Sequence, residues 1–540
     1  MSAFTGTGRL ARLALRRDRV RLVVWALGTP LLGYALAESV AGIYPDEQNR
    51  LGYVEVANTS VVARAFNGPV ASTELGAVVV AETYLTLAVL AALLSTFAVI
   101  RHTRQNEETG RAELLGAAAV GRYALLTAAL VVVVGANVLA GALLAVAFVG
   151  AGLPAAGSVA AAAAITGVGL AFTGVAAVTA QLSVTSRGAN ALAAATVGVT
   201  FLLRAAGDVL GERSADGLLD SAWPTWLSPL GWGTQVRAFG AERWWVLALP
   251  TALLVAGVAI AYALAERRDV GAGLLAARRG PDRAAAGLLS PAGLTWRLHR
   301  GALTGWAIAV AVLGVAMGLA GHEVDDMIAD NPAAAEAIAQ LGGGDELRDA
   351  FLAAMLGLFA LTIGAYVVQA LLRVRGDESD GILEPLLATA VSRTRWLTTQ
   401  VAAAALGALA LMLLAGATTG LGYGLAAGDP AGWTVELTGA ALLWFPALLV
   451  VAGVVTALFG ALPRWSVASS WAVLIVFLLL GQLGAALDLP QTALNLSPYT
   501  HVPSVPAADL TVLPLVALTA IAAALLWLGL TTFRRRDTPT

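Results

Sequence analysis

Apolar runs of about 20 residues, the length an α-helix needs to cross the hydrocarbon of a bilayer, alternate along the chain with shorter polar stretches. They lie near 22–41, 77–100, 123–150, 155–182, 189–207 and 244–265, then at 302–321, 350–372, 397–426, 433–462, 467–487 and 509–533. The pattern predicts an all-α polytopic membrane protein with twelve transmembrane helices in two sets of six. Residues 1–265 form a first half, 266–301 a linker and 302–540 a second half. The connections 42–76, 208–243, 322–349 and 488–508 are the longest on the outer side.

Arginine placement orients the helices, because connections that stay in the cytoplasm retain positive residues. All 33 basic residues are arginine, and 26 of them fall at the termini or in the connections after even-numbered helices. Both termini are therefore expected in the cytoplasm of a multi-pass protein. Most loop carboxylates fall on the other side, including Glu323, Asp325, Asp326, Asp330, Glu336, Asp345, Glu346 and Asp349. Arg9, Arg12, Arg16, Arg17, Arg19 and Arg21 precede the run from Leu22 as in a signal peptide. That run is too long and lacks a small-residue cleavage site, so it reads as an uncleaved first span.

With 58% hydrophobic and 13% charged residues, composition excludes a soluble globule. Cysteine is absent, which excludes disulfides, thiolate metal sites, a cysteine nucleophile and cysteine lipidation. A net charge of -2 gives no reason to expect a nucleic-acid partner.

A charged stretch, Glu107 to Arg122, returns after 271 residues as Glu378 to Arg393. The shift superposes Glu107 on Glu378, Gly110 on Gly381, Glu113 on Glu384, Leu115 on Leu386, Val120 on Val391 and Arg122 on Arg393. Each half also starts with an arginine-bearing segment running into Trp-Ala, at Trp25 and Trp306, and carries Leu-Ser-Pro before its sixth helix, at 227–229 and 496–498. Signals in the same order imply a parallel duplication with a pseudo-twofold axis along the membrane normal. The first part of the linker is either an amphipathic helix on the inner leaflet or a solvated connector. Its end, running into Trp296 and Arg300, is expected to be an interfacial helix like its N-terminal counterpart.

Within the spans, Glu82 stands out, since an ionisable group there is costly and faces a partner or a cavity. It is either hydrogen-bonded or a contact for cargo. Glu38, Asn137, Arg204, Gln369 and Gln482 are further polar positions, and Arg204 with Asp208 has the spacing of a local ion pair. Trp223, Trp226, Trp232, Trp244 and Trp245 suit an interfacial aromatic belt or a gate over a cavity. His322 with Glu323, Asp325 and Asp326 lacks recognised metal-ligand spacing, so no metal site is expected.

A Walker A loop requires a lysine to reach the terminal phosphates, and the chain has none. Gly6-Thr7-Gly8 and Gly342-Gly343-Gly344 lack the strand and helix such a loop needs. ATP-driven work would therefore need hydrolysis on another chain. Arg101-His102-Thr103-Arg104 leads into Glu107, Glu108, Thr109, Gly110, Arg111, Ala112, Glu113, Leu114 and Leu115, followed by Val120-Gly121-Arg122-Tyr123. Together with Leu227-Ser228-Pro229-Leu230-Gly231-Trp232, Gln235-Val236-Arg237 and residues 496–503, this resembles the membrane subunits of ATP-binding-cassette exporters. The likeness is to the fused, twelve-helix permeases of the polyketide-antibiotic type, with a type V exporter-like fold, in a bacterial inner membrane.

The resemblance implies that Glu107 to Arg122 and Glu378 to Arg393 act as coupling helices seated on an ATPase subunit, present in two copies and carrying ATP and Mg; this chain holds no cofactor. Glu113 and Glu384 are expected to pair with arginines, and Leu114, Leu115, Leu386 and Leu387 to form an apolar knob. The copies differ where Arg111 meets Ile382 and Leu114 meets Pro385. Glu82, Trp226, Trp232 and Asn137 are the candidates for substrate contact or gating, and the arginine-rich segments before helices one and seven resemble elbow helices. Non-catalytic export of an amphipathic small molecule by alternating access is thus implied. A proton-driven secondary transporter of six-plus-six topology and a lipid or glycolipid exporter stay open. No set of residues for a membrane enzyme is apparent.

Overall fold

The computed structural model describes residues 2–214, 217–275, 280, 282–329, 344–482 and 490–536, which form two compact units, Met1–Gly280 and Pro281–Thr540. The expected linker is thus divided between the units. Eleven helices among the described residues are long and apolar enough to span a membrane, and Ser466–Gly481 is a shorter apolar helix.

In the first unit, α1 (Thr7–Arg17) and α2 (Arg19–Ile43) are separated by Asp18. Two short helices, α3 (Glu47–Thr59) and α4 (Val61–Phe66), fill the connection between the first two spans, capped by the side chains of Asp46 and Ser60. The second span, α5, is Leu75–His102, followed by α6 (Arg104–Glu108) and α7 (Arg111–Gly116). Then come the spans α8 (Ala124–Gly150), α9 (Ala155–Leu182) and α10 (Ser186–Val209), the short α11 (Pro229–Gln235) and the sixth span, α12 (Ala248–Ala265). A two-residue hairpin pairs Glu212 with Asp220 and Arg213 with Leu219.

The second unit starts with α13 (Pro291–Ala329) and α14 (Gly344–Ser379). The short α15 (Leu383–Leu387) precedes α16 (Arg393–Ala427). The tenth apolar run is split into α17 (Pro430–Leu442) and α18 (Phe445–Ala461). Pro446 sits in the first turn after the break, where its missing N–H and fixed φ favour a new helix start over a continued one. The unit ends with α19 (Ser466–Gln482), α20 (Gln491–Leu494) and α21 (Val512–Arg535).

Each unit repeats one neighbour scheme, in which its first span packs on its third and its fourth lies against both its second and its sixth. The fourth and sixth spans meet at glycines in both units. A Cβ on Gly257 would lie 2.7 Å from the Gly174 backbone, and one on Gly529 would lie 2.6 Å from the backbone of Thr456. Without a hydrophobic drive between helices in lipid, such close backbone approach supplies much of the association. Gly257→Leu and Gly529→Leu should each lower the thermal unfolding midpoint, at a cost of about 1–3 kcal/mol typical of overpacking.

The two expected elbow segments fold differently. Asp18 leaves helical geometry, and its carboxylate reaches His102 Nε2 at 3.0 Å and Arg101 Nη1 at 3.4 Å, turning the chain between α1 and α2. Aligning Trp25 with Trp306 puts His299 at the corresponding place. His299 stays inside α13 and meets Gln400 at 2.9 Å, so no separate interfacial helix forms there. At about 1.5 Å per residue, the 39 residues of α13 far exceed the hydrocarbon thickness.

Candidate functional site

The repeated charged stretches lie at the arginine-rich end of each unit and share a hinge. Gly110 and Gly381 both have φ of 72°, a left-handed backbone that glycine adopts without Cβ strain. After each comes a helix of one or two turns, α7 or α15. In the first copy Glu113 is exposed and Leu114 is 78% exposed, while Leu115 packs beside Leu10 of α1. In the second, Ile382, Glu384 and Pro385 are exposed, Leu383 is buried, and Leu386 and Leu387 are half-buried. The apolar knob is therefore narrower than expected. Leu114 provides it in the first copy, and Ile382 with Pro385 in the second.

Glu113 and Glu384 make no ion pair among the described residues, contrary to the expectation that arginines would hold them. The other glutamates turn inward. Glu107 Oε2 accepts from Arg104 Nη1 at 2.9 Å and from Arg268 Nη1 at 2.8 Å, and Oε1 accepts from Arg268 Nη2 at 2.7 Å. The Arg104 side chain is fully buried, and its Nε and Nη2 donate to the Ala180 carbonyl at the end of α9. Glu108 accepts from the backbone N–H of Ser186 at 3.0 Å, placing a carboxylate at the positive start of α10.

The second unit repeats the clamp. Glu378 accepts from Arg375 Nη1 at 2.9 Å and from Arg536. Arg536 also donates to the Phe459 carbonyl in α18 at 2.8 Å and lies 4.9 Å from the Phe459 ring centroid. Each unit thus ties its glycine hinge to the end of its sixth span through an Arg–Glu–Arg triad. Arg122 is exposed and stacks on Tyr123 at 5.5 Å, whereas Arg393 donates to the Arg536 carbonyl. Arg104 belongs to the motif that leads into Glu107, whereas Arg268, Arg375 and Arg536 carry no signal of their own in the sequence. The 271-residue shift that superposes Glu107 on Glu378 also superposes Arg104 on Arg375, and Arg268 and Arg536 each stand just beyond a sixth span.

The start of the linker forms no amphipathic helix; it is a mostly exposed connector held at a few points. Residues 266–275 turn back onto α9, with Leu275 N donating to the Leu182 carbonyl at 2.9 Å and Arg268 Nε to Gln181 Oε1 at 2.7 Å.

At the other end, the Leu-Ser-Pro serines play matching parts. Ser228 Oγ donates to Thr200 O of α10 at 2.6 Å, and Ser497 Oγ donates to Phe477 O of α19 at 3.2 Å. Both serines are fully buried, pinning the segment before the sixth span onto the fifth. Arg204 and Asp208 form the expected ion pair at 3.3 Å, with both side chains fully buried. Arg204 also donates to the Phe66 carbonyl at 3.0 Å, and Thr225 Oγ1 to Asp208 at 3.1 Å.

Of the four candidates for cargo contact, three have their polar atoms engaged. Glu82 accepts from Asn67 Nδ2 at 3.0 Å, and the same amide reaches Tyr53 Oη at 3.1 Å. Burial, and then the Glu82 charge, push the Tyr53 phenol well above its usual range. Asn137 is buried, with Nδ2 donating to Ser95 Oγ at 2.9 Å and to Val133 O at 3.1 Å. Both of its amide atoms are thus engaged within the first unit. Asn137→Ala should lower the unfolding midpoint modestly, since it removes the partner of the buried Ser95 hydroxyl. Trp232 Nε1 donates to Trp226 O at 2.6 Å, and Trp226 stacks on Trp245 with centroids 5.7 Å apart. The half-buried Trp226 and Trp232 pack against the first unit's core as an aromatic layer.

His322 and Glu323 each have an interaction partner. No metal-binding cluster occurs among the described residues. The remaining acidic side chains of that connection, Asp325 to Glu346, lie outside the described residues, as do Gly342, Gly343 and the Gln482 side chain.

The family model for the C-terminal domain of multidrug efflux system permease Rv1217c matches residues 288–534. Over 540 residues the chain is 42% identical to the multidrug efflux system permease protein Rv1217c of Mycobacterium tuberculosis, covering 99% of this chain and 96% of that protein. The chain belongs to this family of multidrug efflux permeases.

Proposed function

We propose that this permease is the membrane subunit of an ABC-type exporter that moves amphipathic, drug-like molecules out of the cell by alternating access. ATP and Mg are bound by a separate ATPase subunit, present in two copies. The fold is type V-like, with the apolar helix Ser466–Gly481 as the eleventh of twelve spans. The two units arise from an internal duplication in a bacterial inner membrane, with both termini and the arginine-rich end in the cytoplasm.

One observation carries this reading. The same glycine hinge and Arg–Glu–Arg clamp occur twice, each presenting a short helix with an unpaired glutamate and an exposed apolar side chain. A solvated loop has no need of a buried anchor to its sixth span, whereas a lever that passes force into the bundle does. Glu107 and Glu378 hold the lever, while Glu113, Leu114, Ile382 and Glu384 face the ATPase. Arg111, exposed in the first copy, adds a charge that Ile382 lacks.

The test is reconstitution of the permease with an ABC-type ATPase that co-purifies with it. Drug-stimulated ATP hydrolysis and ATP-dependent export are expected, and both are lost in Glu113→Arg plus Glu384→Arg. Failure of any ATPase to co-purify, with export unaffected by the double reversal, would exclude the reading. Loss of export under an uncoupler at constant ATP would point instead to proton drive.

A further inference from the structure

The first unit holds a cavity of about 380 Å³, within the size range of small-ligand pockets. Leu10 and Leu13 of α1, Leu115 of α7, and Leu125, Ala128 and Ala129 of α8 give it apolar walls. Its lining includes no carboxylate but has two exposed guanidinium groups, Arg17 and Arg111. Arg17 donates one N–H to Asn106 Oδ1 at 2.8 Å, and Arg111 makes no ion pair among the described residues. An apolar chamber between an arginine-rich amphipathic helix and the first turns of a span fits one acyl chain, with cations placed for its headgroup.

We infer that this cavity is a binding site for an anionic phospholipid of the leaflet at the arginine-rich end. The second unit supplies an internal contrast. Aligning Trp25 with Trp306 puts Leu298 at the place of Arg17, and the 271-residue shift puts Ile382 at the place of Arg111. Both cations are replaced by apolar side chains. The turn at Asp18 that sets α1 beside α8 is also replaced by the continuous α13. Anionic-lipid recognition therefore belongs to the first half alone. Because α7 forms one wall, bound lipid braces the first hinge against α1 and α8, and the second hinge has no such brace.

Binding is read without ATP, so the outcome is independent of the export mechanism. Purified permease is titrated with phosphatidylglycerol or phosphatidylcholine and analysed by native mass spectrometry. The wild type is expected to retain phosphatidylglycerol preferentially. Arg17→Leu plus Arg111→Ile, which installs the second half's residues, should weaken retention about twenty-fivefold, since each basic residue near an anionic surface contributes about fivefold.

A second readout uses the cysteine-free background. Leu13→Cys, at a position 51% exposed, should react with a maleimide more slowly in phosphatidylglycerol nanodiscs than in phosphatidylcholine ones, and the arginine replacements should remove the difference. Equal retention of the two lipids, or unchanged retention in the arginine variant, would overturn the inference. So would protection of the introduced thiol by the ATPase subunit but by neither lipid, which would make the cavity a protein-docking surface.

Discussion

Glu107→Ala is expected to destabilise the permease by about 3–5 kcal/mol, because it strands a buried cation without its partner. Arg104 is fully buried and Arg268 only 8% exposed, so neither guanidinium can recover hydration once the carboxylate is gone. Glu378→Ala should cost less, about 1–3 kcal/mol. Arg375 is 24% exposed and Arg536 14% exposed, and Arg536 keeps the Phe459 carbonyl and ring. Thermal unfolding of the purified variants checks the ordering, and equal losses would refute the asymmetry. Replacing Arg104, Glu107 and Arg268 together by methionine should recover much of the stability, since apolar residues of similar volume can substitute for a buried ion pair. Export should stay impaired in that triple variant if the clamp transmits force as well as holding the fold.

Charge reversal at the exposed tips should also act unequally. On the proposed docking to an ATPase, Glu113→Arg is expected to reduce export about tenfold or more, as for a residue at the centre of a contact. Glu384→Arg should reduce it about threefold or less, as for a rim charge. In the first copy Glu113 stands beside Leu114, a 78% exposed leucine with a flexible side chain able to fill a cleft. The second copy has the shorter, rigid Pro385 there, with Leu383 buried. Leu114→Ala should follow the same order against Pro385→Ala. Export by the reconstituted complex, with drug-stimulated ATP hydrolysis as control, measures both pairs. Equal effects would sink this asymmetry.

Particular residues separate what one-dimensional pattern can carry from what it cannot. Helix positions were legible because spans are long and uniformly apolar; α8 and α9 begin and end within a residue of their apolar runs. The split between α17 and α18 was readable in principle from Pro446. The different fates of Asp18 and His299 were not, because each depends on a partner about 80–100 residues away, His102 or Gln400. The charged repeat could be found by a simple shift, yet the shift does not tell an inward glutamate from an outward one. Glu107 and Glu113 have the same chemistry and lie six residues apart, and only the turn at Gly110 sends them to opposite environments.

Hydropathy by itself determined a polytopic helical membrane chain. That property follows from local composition, because each span satisfies its own backbone hydrogen bonds. The tertiary structure decided the rest. It engaged Glu82 with Asn67 and Asn137 with Ser95, joined Arg104 and Arg268 across Glu107, and left Glu113 and Leu114 outside. A buried polar group must find a partner wherever the fold brings one within hydrogen-bond reach, and that choice is made between segments far apart in the chain.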